Sequence, residues 1–277
     1  MNVAIIGCGY VGTAVAHLWT QQSLDVTVTT TTPARLPELA AIAQRAVLLN
    51  GSDATAVRTL LDRQQVVLLC LGARNAQSYE ETYLQTAKTL ASVLPQFPSM
   101  RQLIYTSSYA LYGNQQGNWV DETSPIAPAS RNTEILAETE RVLLNAAHGT
   151  LNVCIFRLAG IYGPGRTLAR IFQRLAGTTQ PGDGRNSSNW VHLDDIAGAI
   201  DFARQHGLQG IYNLANDRPL PRRELIEQVC AACNLPAVTW DPAQPSKRPY
   251  NVRVSNQKFK QAGYTFAHPE INFLDGT

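Results

Sequence analysis

The chain has 277 residues, 44% hydrophobic and 16% charged, and its formal net charge of +2 comes with both signs interspersed; this excludes a nucleic-acid or polybasic membrane footprint. No apolar run approaches the roughly 18 residues that span a bilayer, residues 2–6 read as a strand rather than a leader, and five scattered cysteines indicate no disulfide framework. A cytoplasmic globular enzyme or binding protein remains, built as one large or two small domains at about 100–200 residues per domain and able to bury its own core.

In chain order, Asn2–Ile6 is a short apolar run ending in glycines, and Thr13–Thr20 follows with helical spacing. Val26–Thr30 is β-branched throughout. Ala46–Leu49 and Val66–Leu71 are continuous apolar runs of the kind that parallel sheets bury on both faces. Ala54–Asp62, between them, has helical spacing. Leu103–Ser107 and Asn152–Leu158 read as two more strands, with a long helix from Asn132 to Ala147 between them. Strands alternating with helices of this length predict right-handed βαβ units in an α/β fold with a doubly wound parallel sheet, here over residues 1–158. From 159 to 277 the chain is loop-rich, with helices predicted at Asp194–Gln205 and Pro221–Ala232 and a strand at Ile211–Ala215. This half reads as a smaller substrate-binding region, with segments near 190–215 returning to the first domain.

Gly7-Cys8-Gly9-Tyr10-Val11-Gly12 directly follows a strand and opens a helix, the context that makes G-x-G-x-x-G a Rossmann-type dinucleotide fingerprint. Gly7 serves the tight turn, Gly9 the approach of backbone to a pyrophosphate, and Gly12 close helix–strand packing. NAD-binding folds place an acid about 20 residues on, for the ribose 2′-hydroxyl. Here Thr29, Thr30, Thr31, Thr32 and Arg35 stand at the end of the second strand, and Asp25 lies at its start, out of reach. Hydroxyls and a guanidinium suit a 2′-phosphate, so NADP is expected, with NAD possible. Asp53, after the third strand, is expected at the adenine or as a helix N-cap. Leu71 and Gly72, ending the fourth strand, complete the expected cofactor site.

Several later segments bring a family into view. Ile104-Tyr105-Thr106-Ser107-Ser108-Tyr109-Ala110-Leu111-Tyr112-Gly113 resembles the fifth-strand motif of extended short-chain dehydrogenases/reductases of the epimerase/dehydratase type. Phe156-Arg157-Leu158 with Tyr162-Gly163-Pro164-Gly165 is similar to the family's R-L-x-x-x-Y-G-P-G segment, and Trp190-Val191-His192-Leu193-Asp194-Asp195 to its V-H-V-D-D segment. Ile211-Tyr212-Asn213-Leu214 matches its x-Y-N-x strand. The resemblance implies a nicotinamide cofactor, a nucleotide-linked or phosphorylated sugar-like substrate, and a monomer or homodimer.

The family's chemistry uses a Ser or Thr, a Tyr and a Lys. Ser108, four residues before Tyr112, falls at the Ser/Thr position. The Tyr-x-x-x-Lys pair is missing: counted back from Glu138, Ser130 stands where Tyr belongs and Glu134 where Lys belongs. No Lys lies between Lys88 and Lys247, and no Tyr has Lys four residues later. This resembles the atypical branch of the family. Tyr83, Tyr109, Tyr112 and Tyr162 are the candidate replacements, with Arg131 or Arg157 as a cationic neighbour. Tyr109 and Ala110 stand where sugar dehydratases carry an acidic pair, which argues against dehydration.

For substrate, Arg157, Arg248 and the stripe Arg166, Arg170 and Arg174, expected on one helix face, suit phosphate oxygens. His192, Asp194 and Asp195 read as loop-fixing and helix-capping residues. Cys230 and Cys233, within a helix and without a second ligand pair, give no metal signal. Two functions fit: an NADP-dependent epimerase or reductase with a non-standard active site, or a cofactor-sensing or binding protein that has lost catalysis.

Overall fold

The apolar runs become the strands of one sheet. In the computed structural model, which describes residues 1–73 and 75–274, they are Asn2–Ile6 (β1), Asp25–Thr30 (β2), Arg45–Leu48 (β3), Val66–Leu69 (β4) and Gln102–Ser108 (β5). Asn152–Leu158 and Gly210–Leu214 extend the sheet to seven strands. Its order is Gly210–Leu214, Asn152–Leu158, β5, β4, β1, β2, β3, and the pairings β4–β5, β1–β4, β1–β2 and β2–β3 are all parallel. The order reverses between β1 and β4. In open α/β sheets ligands bind at such a switch point, outside the strands' carboxyl ends.

The helices that cross between strands are Tyr10–Gln21 (α1), Leu36–Ala40 (α2), Ala54–Leu61 (α3), Thr86–Val93 (α4) and Arg131–Asn145 (α5). Alternate strand residues Ala4, Ile6, Val67, Leu69, Leu103, Tyr105, Val153 and Ile155 point to one face, as the two-residue strand period requires. They pack there against Val57, Leu60 and Leu61 of α3, Leu90 and Val93 of α4, and Leu143 of α5.

Contacts divide the chain into two units. The first is Met1–Ser108, Ser130–Arg157 and Ala197–Tyr212; the second is Tyr109–Ala129, Leu158–Ile196 and Asn213–Thr277. The later helices are Leu168–Phe172 (α6), Leu193–His206 (α7) and Arg222–Ala232 (α8). Within the second unit, α6 and α8 share a core of Leu168, Phe172, Leu225, Ile226 and Val229. α7 begins in the second unit and continues into the first. Strands Trp190–His192 and Gly160–Tyr162 pair in parallel, as do Asn251–Val254 and Asn114–Val120. No helix among the described residues is long and apolar enough to cross a membrane.

Candidate functional site

Three glycines shape the turn from β1 into α1, each for a different reason. Gly7 has φ +91°, and a Cβ on it would run into the Cys70 carbonyl. A Cβ on Gly12 would sit 2.7 Å from the Gly7 carbonyl oxygen. Gly9 has nothing within 4 Å of such an atom, so no packing inside the protein explains its missing side chain. Gly9 is the N-cap of α1, no side chain caps the helix, and its first turn holds no acid. Twelve residues of helix thus end in amides and a positive dipole facing open space.

β2 fixes this loop from the side. The Gly7 N–H donates to Thr29 Oγ1 at 3.2 Å, and the Cys8 N–H to the Thr29 carbonyl at 2.9 Å. Thr30 Oγ1 accepts the Thr32 N–H at 3.1 Å. Arg35 donates to the Cys8 carbonyl at 2.5 Å and pairs with exposed Glu38 at 3.0 Å. Its hydrogen bond to Glu38 holds the guanidinium above its ordinary range. Burial pushes the Cys8 thiol up, only partly offset by a contact to Thr13, so Cys8 is a packing residue here rather than a nucleophile.

At the carboxyl end of β4 burial lifts the Cys70 thiol to about 11. The Tyr83 hydroxyl donates to the Leu71 carbonyl at 3.2 Å. Its ring lies 4.5 Å from that of Tyr79, and burial raises both phenols. A Cβ on Gly72 would meet nothing within 4 Å. Asp53 is the N-cap of α3, with Oδ1 accepting the Thr55 and Ala56 N–H groups at 2.9 and 3.1 Å. The open space at Gly9, the uncapped helix end and the hydroxyl-guanidinium set at β2 fit a dinucleotide.

The start of α5, where the family's proton-transfer pair would stand, does structural work. Ser130 and Thr133 form a capping box, and exposed Arg131 pairs with Glu80 at 3.0 Å and Glu134 at 3.4 Å. Arg157, expected at the substrate, is corrected here: it is buried in a bidentate pair with Glu140, at 2.7 Å from Nη2 and 3.1 Å from Nε. The buried glutamate of α5 is therefore Glu140, whereas Glu138 is partly exposed. Counting from Glu140 lands on Asn132 and Leu136, so neither register supplies Tyr or Lys. Ser108 ends β5, half-buried.

In the second unit Tyr112 and Tyr162 have no exposed surface. Tyr112 donates to Asn213 Oδ1 at 2.8 Å, and Tyr162 packs in the α6–α8 core. Lacking a surface to offer, they are corrected from candidate acids to core residues. The arginine stripe is also corrected. α6 has only five residues, Arg166 precedes it and Arg174 follows it, so the three do not share one helix. Arg166 donates to the Ile161 carbonyl and Arg170 to the Gly165 carbonyl.

A different group converges instead. Tyr109 meets Tyr250 edge-on, with ring centroids 5.2 Å apart. Arg248 lies 5.0 Å over the Tyr250 ring and donates to Ser188 Oγ at 3.1 Å. Burial, and next the Arg248 charge, push the Arg222 guanidinium down to about 10, so Arg222 remains cationic at neutral pH. Burial also raises the Tyr109 phenol, and Arg248 offsets this only in part. Neither arginine makes an ion pair with a carboxylate among the described residues. Two cations close enough to repel one another suit an anion. The sequence reading missed Arg222 and Tyr250, although a signal existed: Arg222 and Arg223 occupy the first turn of α8, where the helix dipole disfavours cations. Of two open concavities in the second unit, about 440 and 360 Å³, the first is lined by Arg253, which the sequence offers beside Lys247 and Arg248 as a residue closing the pocket, and neither is lined by the candidate tyrosines or by Arg248.

The sequence pattern of the NAD dependent epimerase/dehydratase family matches residues 3–215. Protein YeeZ of Escherichia coli (strain K12) is 36% identical over 221 residues, covering 77% of this chain and 77% of that protein. The dTDP-glucose 4,6-dehydratase of Streptomyces niveus is 27% identical over 188 residues, covering 63% of this chain and 54% of the enzyme. Among solved structures, the UDP-glucose 4-epimerase of Thermus thermophilus in complex with NAD has the same fold: its TM-score is 0.79 at 22% identity, over 100% of this chain and 96% of that one.

Proposed function

We propose that this chain, which belongs to the NAD dependent epimerase/dehydratase family, is an oxidoreductase that binds NADP in preference to NAD and acts as an epimerase or reductase on a nucleotide-linked or phosphorylated sugar-like substrate. The observation that carries the reading is the uncapped N-terminus of α1 at Gly9, open to an anion, with Arg35 bonded to the Cys8 carbonyl beside it. The backbone of Gly7, Cys8, Gly9, Tyr10, Val11 and Gly12 would hold the pyrophosphate. Thr30, Thr31 and Arg35 would take the 2′-phosphate, Asp53 the adenine through Oδ2, and Leu71 and Gly72 the nicotinamide half. Bound there, the nicotinamide gives or takes up hydride.

Ser108 would polarise the reacting oxygen. Tyr83 and Tyr109 are the tyrosines with a case for proton transfer, and phenols raised by burial are hydrogen-bond donors and acids rather than bases at neutral pH. Arg222 and Arg248 would take the anionic part of the substrate. Arg222→Ala and Arg248→Ala should each raise KM for UDP- or dTDP-sugars about tenfold or more, the loss of one charge-assisted hydrogen bond, with NADP affinity unchanged. Activity would be followed by nicotinamide absorbance and by sugar configuration in NMR spectra. Unchanged KM in both variants would remove these arginines from the substrate site.

The cofactor preference has its own test. A 2′-phosphate competes with Glu38 for Arg35. Arg35→Ala should weaken NADP binding by about 1–3 kcal/mol, the scale of a charged hydrogen bond, and leave NAD nearly unaffected. Glu38→Gln should tighten NADP. Parallel losses for both dinucleotides in Arg35→Ala would mean that Arg35 only braces the loop through the Cys8 carbonyl.

A second reading, a cofactor-sensing or binding protein without turnover, is favoured by one observation. The α5 positions that would carry the proton-transfer pair hold Ser130 and Glu134, or Asn132 and Leu136, and Ser130 is committed to the helix cap. General acid–base help contributes about 10²–10⁴-fold, so turnover on standard sugar substrates should be slow. Ser108→Ala, Tyr83→Phe and Tyr109→Phe separate the readings. A large loss of rate in one variant with cofactor binding intact identifies the acting residue, whereas no turnover on any substrate with tight NADP binding selects the sensor.

A further inference from the structure

His192, Asp194 and His268 come from two distant parts of the chain and meet outside the residues assigned above to cofactor and substrate. His192 ends the strand Trp190–His192 and is 1% exposed, Asp194 stands exposed in the first turn of α7, and His268 is partly buried. The two imidazole centroids are 3.8 Å apart. Asp194 Oδ2 lies 3.5 Å from His192 Nδ1 and 3.5 Å from His268 Nε2. The three ligand atoms all fall within 4.8 Å of one another.

The spacing inside the cluster suits a cation. The Asp194 backbone N–H donates to His192 Nδ1 at 3.2 Å. A four-coordinate ion with bonds of about 2.0–2.2 Å sets its ligand atoms about 3.3–3.6 Å apart. Both edges of the triangle that meet at Asp194 match that spacing. Imidazole and carboxylate together are the ligand set of zinc-class ions.

The ligands are also held in place before any ion arrives. The Ala267 and His268 N–H groups donate to the two Asp195 carboxylate oxygens at 2.6 and 3.0 Å, and the Tyr264 hydroxyl donates to the Asp195 carbonyl at 3.1 Å. Asp195 thus fixes the backbone that carries His268 and adds negative charge beside both imidazoles. His192 is fixed by its strand, which pairs with Gly160–Tyr162.

We propose that His192, Asp194 and His268 bind one divalent transition-metal ion of the zinc class, with the exposed side of Asp194 leaving a fourth position to solvent. Binding would exchange the Asp194 N–H on His192 Nδ1 for the ion and bolt the segment around His268 to the start of α7. The site is independent of the cofactor assignment above.

The test uses the full chain without a polyhistidine tag, stripped with EDTA and titrated with Zn²⁺, with Co²⁺ as a spectroscopic probe and Mg²⁺ as a control. The expected result is one Zn²⁺ per chain, tetrahedral cobalt absorption without thiolate character, a higher melting temperature in Zn²⁺, and no response to Mg²⁺. His268→Ala and Asp194→Asn should each lose stoichiometric binding and the melting shift while keeping the metal-free melting temperature and NADP affinity of the parent. Should a variant fold poorly, His268→Gln gives the same reading at similar volume, and the cobalt spectrum of the parent stands by itself. Absence of stoichiometric Zn²⁺ binding to the parent, or binding that survives both substitutions, overturns the proposal.

Discussion

Gly9→Val is expected to abolish NADP binding while leaving the melting temperature of the protein close to that of the parent. A Cβ at Gly9 meets nothing within 4 Å, and the backbone there has φ −90° and ψ −148°, on the edge of the extended region, so a side chain meets backbone strain but no clash. The protein itself should therefore tolerate the branch. The side chain would instead fill the space in front of the α1 amides, where a pyrophosphate must approach the backbone. A loss of about 100-fold or more in affinity, roughly 3 kcal/mol, is expected by calorimetry. Gly7→Ala provides the contrast. At φ +91° and against the Cys70 carbonyl, it should lower stability whether or not cofactor is present. Normal NADP affinity in Gly9→Val would show that the dinucleotide does not use this turn.

The second large effect concerns the Arg157–Glu140 pair. Its side chains are 5% and 4% exposed, so removing one partner strands a charge in the core. Breaking a buried pair costs about 3–5 kcal/mol. At about 2–4 °C per kcal/mol for a domain of this size, Arg157→Met or Glu140→Gln should lower the melting temperature by roughly 6–20 °C. The double change Arg157→Met with Glu140→Leu should recover much of that loss, because no charge is left unpaired. Any effect on substrate KM should follow the folded fraction. If Arg157→Met melted like the parent yet lost substrate affinity, Arg157 would be a substrate residue as the sequence pattern suggested.

The sheet was legible because its strands are short apolar runs bounded by breakers. β1, the strand Asn152–Leu158 and helix α3 lie within a residue of their expected ends. Asn114–Val120 was not legible. Its sequence, NQQGNWV, is polar and glycine-broken, and it is held by parallel pairing with Asn251–Val254, more than 130 residues away in the chain. The fingerprint glycines could be read from local spacing alone, but the Thr29 hydroxyl that receives the Gly7 N–H could not, because that bond joins two strands.

Residues whose roles depend on distant partners were misread for the same reason. Arg157 looked like a phosphate ligand until Glu140 was found opposite it on α5. Tyr112 and Tyr162 looked available because sequence gives no measure of burial. Arg222 carries no local signal of its neighbour, because the Arg248 charge that acts on it comes from a loop 26 residues later in the chain.

Titration calorimetry of the unmodified chain with NADP and with NAD tests the central claim most directly. The account predicts one NADP bound per chain, more tightly than NAD, with the preference lost in Arg35→Ala. Binding of neither dinucleotide, or tighter binding of NAD than of NADP, would contradict it.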